Sequence, residues 1–413
     1  MVGRMKCVVC GASWWHHKKM ISIKAGNIDN SALYNKIKIM HCKKCGHVFN
    51  KISVYDYTNL YVYYRNEYTK YNLKSPNKTG DLPGSSSPSS IARYNAIYNP
   101  VKHLMVLNKN NAEILDIGCA SGGFLSYLQE EGYKNLYGID PSSGYTRVAK
   151  KNKALKISTG SAEKIPFNKK FDFIFLDQVV EHLLDPNIMF EEVGKKLKPN
   201  GRICISVPNA LGYRCEFFFE YYWFLMREHI HHFDAYHLKL LAYNNGFNLV
   251  SVHTTKTDML SSTAQLPNLT MVFTRESKYS KPYYYSIAYS LMVRDTIKYY
   301  IAHCKQAFKA SMLGAKLLYD MKATDVYVYG LSREFLYLYN NTLLRKVNIK
   351  KIIDDTPEKR KRTVNGISVV RSRSIIKHLS STSIIIITAY AHKELLRHRL
   401  RELGFKGAIV NGL

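Results

Sequence analysis

Between residues 112 and 209, apolar runs of strand length alternate with amphipathic stretches of helix length. The runs are rich in Ile, Leu, Val and Phe and occupy residues 112–118, 135–140, 154–160, 170–178 and 202–209. Strands that alternate with helices in this way pair in parallel, and the crossover helices cover both faces of the sheet. The pattern therefore predicts an α/β fold built on a doubly wound parallel sheet.

The alternation stops after residue 209. A helix that Asp234 caps and Gly246 ends is followed by two strand-like runs, 247–255 and 269–275, with no helix between them. Such a pair is expected to be antiparallel and to lie at the sheet edge. We expect five segments along the chain: a zinc-binding segment 1–74, a linker 75–94, a central domain 95–275, a helical connector 276–322, and a small C-terminal α/β domain 323–413.

The chain carries 60 Lys and Arg against 31 Asp and Glu, a net charge of +29 over 413 residues. Such an excess suits an anionic partner such as nucleic acid, a phosphorylated metabolite or a membrane surface. A second explanation is an AT-rich coding sequence, because Lys, Asn, Ile and Tyr are all abundant and the bases are spread along the chain. The N-terminus lacks an apolar signal core and no apolar run is long enough to span a bilayer, so a cytoplasmic protein is expected.

Two CxxCG turns stand in the first segment, CVVCG at Cys7 and Cys10 and HCKKCG at Cys42 and Cys45. Two such turns present four thiolates to one point, which is the arrangement of a structural tetrahedral zinc site. A redox dithiol is the alternative. The flanking histidines, His41 and His47, are expected at the surface rather than on the metal.

The segment LDIGCASGGF follows the first predicted strand directly and opens a helix. Gly118 and Gly122 allow a sharp turn and a close approach to a ligand, and Asp116 is placed to bind an ammonium group. Asp140 ends the second strand, where a carboxylate accepts hydrogen bonds from ribose hydroxyls. A dinucleotide site is the competing interpretation, but the loop has the spacing GxxxGG rather than GxGxxG.

With GIDPS, SAEKIPF and FDFIFLDQVVEHLLDP following in order, residues 95–275 resemble the class I S-adenosylmethionine (SAM)-dependent methyltransferases. The resemblance implies a Rossmann-like fold that binds SAM. The implied contacts are Asp116, Gly118, Ser121 and the neighbouring Gly122 with the amino-acid part of SAM, Asp140 with its ribose, Ala162 and Glu163 with its adenine, and Asp177 and Gln178 at the closed end of the pocket.

Methyl transfer requires an acceptor aligned with the methyl group and, for many acceptors, a base. The candidates are His182 in VVEHL and the cluster REHIHHF, which supplies Glu228, His229, His231 and His232. The alternative role for this cluster is a polar border of the pocket.

The order of the segments sharpens this assignment. Paired CxxC turns, a SAM domain, a Glu-His element and a terminal α/β unit together resemble the zinc-containing sugar-nucleotide C-methyltransferases, which methylate carbon beside a ketone through a base-generated enolate. The resemblance makes His182, Glu228 and His229 the catalytic residues. The chain departs from that family at Met226, where a tyrosine is usual, and in its terminal loop, where only Gly330 remains.

The sequence thus predicts an enzyme that methylates a small molecule, a nucleotide-linked sugar or glycan precursor, at carbon or oxygen. Methylation of RNA or protein is one alternative, although LDQVV lacks the Asn/Asp-Pro-Pro-aromatic element of base N-methylation. A non-catalytic SAM- or glycan-binding subunit is the other. The KRKR run at 359–362 could contact a diphosphate or form a solvated loop. The sequence does not define the oligomeric state.

Overall fold

In a computed structural model of the chain, the described residues are 6–24, 36–67, 86, 88–105, 109–214, 222–258, 265–275, 287–356, 359, 362–389 and 392–411. Their strands form three sheets of four, seven and six strands. Within these ranges no helix is both long and apolar enough to cross a membrane.

The N-terminal sheet is an antiparallel meander that carries the two CxxC turns. Its first strands are β1 (His17–Lys24), β2 (Lys36–Cys42) and β3 (Val48–Lys51). Helix α1 (Val54–Val62) follows, and Ser53 caps it by accepting a hydrogen bond from the Asp56 backbone at 3.0 Å. Capping of this kind satisfies an N–H group that the first helical turn leaves without a partner. A π-helical turn, Tyr63–Glu67, extends the helix.

The central sheet contains the five predicted parallel strands. They are β4 (Glu113–Ile117), β5 (Asn135–Asp140), β6 (Lys156–Thr159), β7 (Phe171–Asp177) and β8 (Leu197–Pro208). The helices around them are α2 (Pro88–Tyr98), α3 (Gly123–Glu130), α4 (Ser143–Ala149) and α5 (Pro186–Lys196). The strands pair in parallel in the order β6, β5, β4, β7 and β8. Their carboxyl ends therefore lie at one edge of the central sheet.

Helix α5 shows why the crossover segments become helices. Asp185 accepts a hydrogen bond from the Asn187 backbone at 3.0 Å, and Pro186 occupies the first turn, where its missing N–H costs nothing. Phe190 and Val193 lie on the face that packs against the sheet and are fully buried. The N-terminal cap and the buried apolar face therefore both stabilise this helix.

The remainder of the central domain follows the predicted change of pattern. A two-residue strand, β9 (His231–His232), leads into α6 (Ala235–Asn244), β10 (Phe247–Asp258) and β11 (Gln265–Arg275). The strand order is β10-β11-β8-β7-β4-β5-β6, and both β10–β11 and β11–β8 are antiparallel. The prediction of an antiparallel edge pair is confirmed. Strand β9 pairs with β3 and so joins the N-terminal sheet to the central domain.

A 34-residue helix, α7 (Ile287–Asp320), connects the central and C-terminal parts. Its buried face, which includes Val293 and Tyr300, belongs to one apolar core with Ile37 and Ile39 of the N-terminal sheet. The first part of the predicted helical connector, 276–286, lies outside the described residues.

The C-terminal domain is the small, mainly parallel sheet that was predicted. Its elements are β12 (Val326–Tyr329), α8 (Arg333–Asn341), β13 (Ile349–Ile353), β14 (Thr363–Val364), β15 (Ile367–Val370), α9 (Ser372–Ile375), β16 (Ile384–Ile387), α10 (Lys393–Glu402) and β17 (Ala408–Asn411). The order is β14-β15-β13-β12-β16-β17, and among the described strands of this sheet only β14 is antiparallel to its neighbour.

The structure differs from the predicted linker 75–94 at its end. Helix α2 begins at Pro88, because the Gly- and Ser-rich composition that indicated a loop gives way to IARYNAIY, whose Tyr94 and Ile97 are buried. Most of 75–87 lies outside the described residues.

Candidate functional site

The glycine loop between β4 and α3 has the geometry that the sequence predicted. Gly118 and Gly122 have φ angles of 80° and 83°, a region that side chains disfavour. A Cβ atom on Gly118 would lie 2.5 Å from Val179 Cγ2, so the space also requires glycine. The loop is tied across the sheet edge because the Gly118 and Cys119 N–H groups donate to the Ile139 carbonyl at 2.8 and 3.0 Å.

Asp140 holds this loop in place from the end of β5. Its two carboxylate oxygens accept hydrogen bonds from the Ala120 backbone at 3.0 Å and the Ser142 backbone at 2.8 Å. Burial raises the pKa of Asp140 to about 6, although the two N–H donors oppose the shift. Each oxygen keeps a second lone pair, so the group can also accept a hydrogen bond from a hydroxyl group.

Three carboxylates converge on this edge. Burial, aided by the charges of Asp177 and Asp140, raises the pKa of Asp116 well above its ordinary value. Arg93 of helix α2 forms an ion pair with Asp177, and its Nε donates to the Asp177 carboxylate at 2.8 Å. Such a cleft suits a ligand that carries positive charge. Sequence analysis missed Arg93, because it falls in the segment interpreted as a linker.

The other predicted cofactor residues lie at the same strand ends. Ser121 belongs to the glycine loop, buried Ala162 and Glu163 follow β6, and Gln178 follows β7. Glu163 accepts a hydrogen bond from Tyr57 of α1 at 3.2 Å. Gln178 has a φ angle of 54°, and its amide donates to Asn268 at 3.0 Å. We call the edge formed by these residues and the three aspartates the cofactor cleft.

Two of the predicted catalytic residues face each other beside this cleft. The rings of His182 and His229 have centroids 5.1 Å apart. Nδ1 of His182 lies 2.7 Å from the Glu228 carbonyl and Nδ1 of His229 lies 3.1 Å from the Phe224 carbonyl. A carbonyl only accepts, so both rings carry the proton on Nδ1 and present an Nε2 lone pair.

Burial keeps both imidazoles neutral. It lowers the pKa of His182 to about 4, and it lowers that of His229 well below 6.5, with His182 and His232 adding to the effect. Neutral imidazoles with unprotonated Nε2 atoms are proton acceptors at neutral pH. Tyr64 adds a hydroxyl 3.2 Å from His182 Nδ1.

Glu181 completes this group, which we call the imidazole pocket (Glu181, His182 and His229). Its carboxylate is almost fully buried, has no hydrogen-bond partner among the described residues, and lies 3.6 Å from His182 Nε2. Burial, with a contribution from Asp177, raises its pKa to about 8. Ligand atoms of the three residues lie within 4.8 Å of one another, a spacing that could also hold a metal ion. Sequence analysis quoted Glu181 in VVEHL without assigning it a role.

The structure assigns Glu228 a contact outside the imidazole pocket. Its Oε1 lies 3.4 Å from Nε of Arg227, an almost fully buried arginine whose guanidinium stands 5.2 Å from the ring centre of Tyr63. The carboxylate therefore compensates a buried charge, and the main-chain carbonyl of Glu228 orients His182.

His231 and His232 lie in β9 and connect the N-terminal sheet to the central domain. Nδ1 of His231 lies 3.0 Å from His47 Nε2, and Nε2 of His232 lies 3.4 Å from the Asn50 side chain. Burial lowers the pKa of His231 to about 4 and that of His232 to about 3. The histidine cluster is therefore divided, with His229 in the pocket and these two in the junction.

The four predicted metal ligands come together. The Sγ atoms of Cys7 and Cys45, and those of Cys10 and Cys42, are 3.7 Å apart, and all four lie within 4.8 Å of one another. Four sulfurs at about 2.3 Å from a central zinc ion stand about 3.8 Å apart. The donor set and its spacing therefore fit Zn²⁺.

The structure corrects one prediction about the residues around the cysteine cluster. His47 is completely buried and His41 is 9% exposed, so the prediction of surface histidines was wrong. The cause is the packing of this sheet against the central domain and α7, which the local sequence does not reveal. His237 links the two parts, since its Nε2 donates to the Cys45 carbonyl at 2.8 Å while its Nδ1 meets Asp234 at 2.6 Å.

The side chain of Asp354 occupies the space beside the turn that follows β12 in the C-terminal domain. Asp354 accepts a hydrogen bond from the Leu331 backbone at 2.8 Å and pairs with Lys359, the first residue of KRKR, at 3.0 Å. A carboxylate therefore occupies the position beside Gly330 where a phosphate would meet the turn. Arg360 and Lys361 lie outside the described residues.

A family model described as a methyltransferase domain matches residues 92–252. The chain is 30% identical over 141 residues to the tRNA U34 carboxymethyltransferase of Nautilia profundicola, an alignment that covers 32% of this chain and 44% of that protein. It is 38% identical over 104 residues to the ubiquinone biosynthesis O-methyltransferase of Pelagibacter ubique, with 24% and 43% covered. The chain thus spans less than half the length of these curated relatives.

Magnesium protoporphyrin IX methyltransferase from Synechocystis, solved with bound SAH, matches 53% of this chain and 99% of its own at 17% identity and a TM-score of 0.39. The domain match itself covers the glycine loop, Asp140 and the imidazole pocket. Residues 92–252 of this chain are a methyltransferase domain of the class I, SAM-dependent kind.

Proposed function

We propose that the chain catalyses base-assisted methyl transfer from SAM to a small molecule, a nucleotide-linked sugar or a related glycan precursor, at carbon or oxygen. The observation that carries the proposal is the imidazole pocket, where two neutral histidines present Nε2 lone pairs next to the cofactor cleft. Bound SAM supplies an electrophilic methyl group. An acceptor C–H or O–H group must lose its proton to become an effective nucleophile, and His182 or His229 would take that proton.

The cofactor roles follow from the charges of the cleft. We assign the ammonium group of SAM to Asp116 and its ribose hydroxyls to Asp140. The glycine loop, with Gly118, Ser121 and Gly122, would receive the carboxylate at the N-terminus of α3. Ala162 and Glu163 would flank the adenine. Asp177 and Gln178 would close the cleft.

We also propose that the four cysteines hold a structural Zn²⁺. The cluster offers four thiolates and no position for a water ligand, which suits a structural rather than a catalytic metal. The N-terminal sheet has four strands, and metal binding at its two CxxC turns would supply part of its folding free energy. Through β3 and β9 the same sheet supports the residues next to His229.

RNA is the second candidate acceptor. The net charge of +29 and the similarity to a protein named for tRNA U34 favour it. A non-catalytic SAM-binding subunit is the remaining alternative, and it predicts no turnover.

One experiment separates these candidates. Purified, zinc-loaded protein is incubated with methyl-labelled SAM and pooled nucleotide sugars, with bulk RNA in a parallel reaction. Label in the sugar pool that disappears in His229→Ala supports the proposal. Label in RNA alone would replace the sugar acceptor with RNA, and SAM binding without transfer to either pool would favour a binding subunit.

A further inference from the structure

A groove lined by basic side chains lies between the N-terminal sheet and helix α7. Its cations are Lys18 and Lys19 of β1, Lys43 of the second CxxC turn, and Arg294 and Lys298 of α7. The groove has a volume of about 360 Å³ and shares no residue with the cofactor cleft or the imidazole pocket. We call these five residues and the space between them the basic groove.

The charge of the basic groove is poorly compensated. Among the described residues, the carboxylate that pairs with its cations is Asp295, which lies 2.9 Å from Arg294 and 3.3 Å from Lys298. The three groove lysines Lys18, Lys19 and Lys43 are exposed, and none of the described acidic residues forms an ion pair with them. Five cations facing one carboxylate create a positive potential that favours an anionic ligand.

Two exposed tryptophans lie in the turn that directly precedes the groove strand β1. Trp14 and Trp15 are 42% and 62% exposed, and their ring centres are 6.1 Å apart. The Lys43 backbone donates to the carbonyl of His16 at 2.8 Å, which fixes the tryptophan turn beside the wall of the groove. Basic grooves bordered by exposed aromatic rings are typical of proteins that bind single-stranded nucleic acid, where lysines contact phosphates and rings stack on bases.

We propose that the basic groove binds a single-stranded RNA segment, with its phosphates between β1 and α7 and a base stacked on Trp15. A strand is favoured over a lone nucleoside diphosphate because the net charge of +29 attracts a polyanion along the whole surface. The inference goes beyond the proposed methyl transfer and does not depend on which acceptor is methylated.

The test is fluorescence anisotropy with the zinc-loaded full chain and a labelled single-stranded RNA of about 12 nucleotides, at several salt concentrations. The central variant is Lys18→Glu/Lys19→Glu/Lys43→Glu. Its matched control is Lys150→Glu/Lys151→Glu/Lys153→Glu, which changes the net charge equally at exposed lysines near α4. Zinc content is measured in each protein, because Lys43 neighbours Cys42.

We expect the groove variant to bind RNA at least about 10-fold more weakly, and its slope of log affinity against log salt to fall by about 2. The charge-matched control should lose less than about 3-fold. Trp15→Ala should weaken binding about 5- to 100-fold without changing the slope. Lys298→Ala, on the opposite wall and away from the cysteines, should lower the slope by about 0.7.

Equal losses in the two triple variants would show that diffuse charge, not the groove, binds RNA, and would overturn the proposal. Displacement of the RNA by uridine diphosphate at similar concentrations would overturn it in favour of a nucleoside diphosphate site. Absence of RNA binding by the wild-type chain would overturn it directly. Calorimetric SAM binding and label transfer to nucleotide sugars, measured on the same proteins, report separately on the proposed function.

Discussion

The cofactor cleft takes its side chains from successive strand ends, whereas the imidazole pocket is assembled from segments far apart in the chain. Asp140 and Asp177 end their strands and Asp116 lies one residue before the end of β4, and these strands pair in parallel, so the fold alone brings the three together. In the pocket, Tyr64 contacts His182 across 118 residues, and the Glu228 carbonyl orients the same ring.

This difference separates the two activities that the domain needs. The cleft depends on the central sheet and its glycine loop, and it should keep its shape when outlying parts are disturbed. The pocket depends on the π-helical turn Tyr63–Glu67, on the segment before β9 and, through β3, on the cysteine cluster. Binding of SAM and transfer of its methyl group should therefore respond to different substitutions.

The largest expected effect comes from His229→Ala. Loss of this proposed proton acceptor should lower the rate of methyl transfer by about 10²- to 10⁴-fold. SAM affinity should change by no more than about twofold, because His229 lies outside the cleft. Single-turnover transfer and calorimetry measure the two quantities. His398→Ala, at an exposed histidine paired with Glu402 in α10, is the control. Full activity of the variant would move the base to His182.

Removal of the zinc tests the link between the cysteine cluster and the pocket. A strong chelator should abolish the structure of the N-terminal sheet, and displacement of the β9 region should lower turnover by about 10²-fold or more. SAM affinity should stay within about threefold, since the cleft is built by the central sheet. Metal content, turnover and calorimetry are followed together. A parallel loss of SAM binding would mean that the two regions fold as one unit.

Asp140→Ala is the converse experiment, aimed at the cleft. It removes an acceptor that holds the Ala120 and Ser142 N–H groups and, in our assignment, the ribose hydroxyls. SAM affinity should fall by about 10-fold or more. Asp172→Ala is a matched control at the other end of the sheet, where the carboxylate accepts from the Glu113 backbone at 2.8 Å. Unchanged calorimetric affinity in Asp140→Ala would remove the cofactor assignment.

The same difference explains which features of the fold and the site could be predicted from the sequence alone. The order of the central strands, the glycine loop, the position of Asp140 and the cysteine cluster are local patterns, and the structure contains all of them. The burial of His47 and the ion pair of Arg93 depend on packing between distant segments. The division of the histidine cluster between pocket and junction also arises only when β9 pairs with β3. No spacing rule along the chain encodes these contacts.

The smallest expected effect concerns Glu181. Its pKa is raised from 4.5 to about 8, so the folded chain binds more protons than the unfolded chain between these values. The stability from this group is therefore fully present below about pH 4.5 and is lost as pH rises toward 8. The glutamine of Glu181→Gln cannot ionise, so the stability of this variant should not decline in this way as pH rises.

The melting temperature of Glu181→Gln, relative to that of wild type, should therefore increase from pH 5 to pH 8.5. Glu191→Gln, at an exposed helix position paired with Lys195, is the control and should show no such increase. A difference that shrinks with rising pH would mean that Glu181 is ionised in the folded protein. The pocket would then hold a carboxylate beside two neutral imidazoles, which is the arrangement that binds a metal ion rather than one that only accepts a proton.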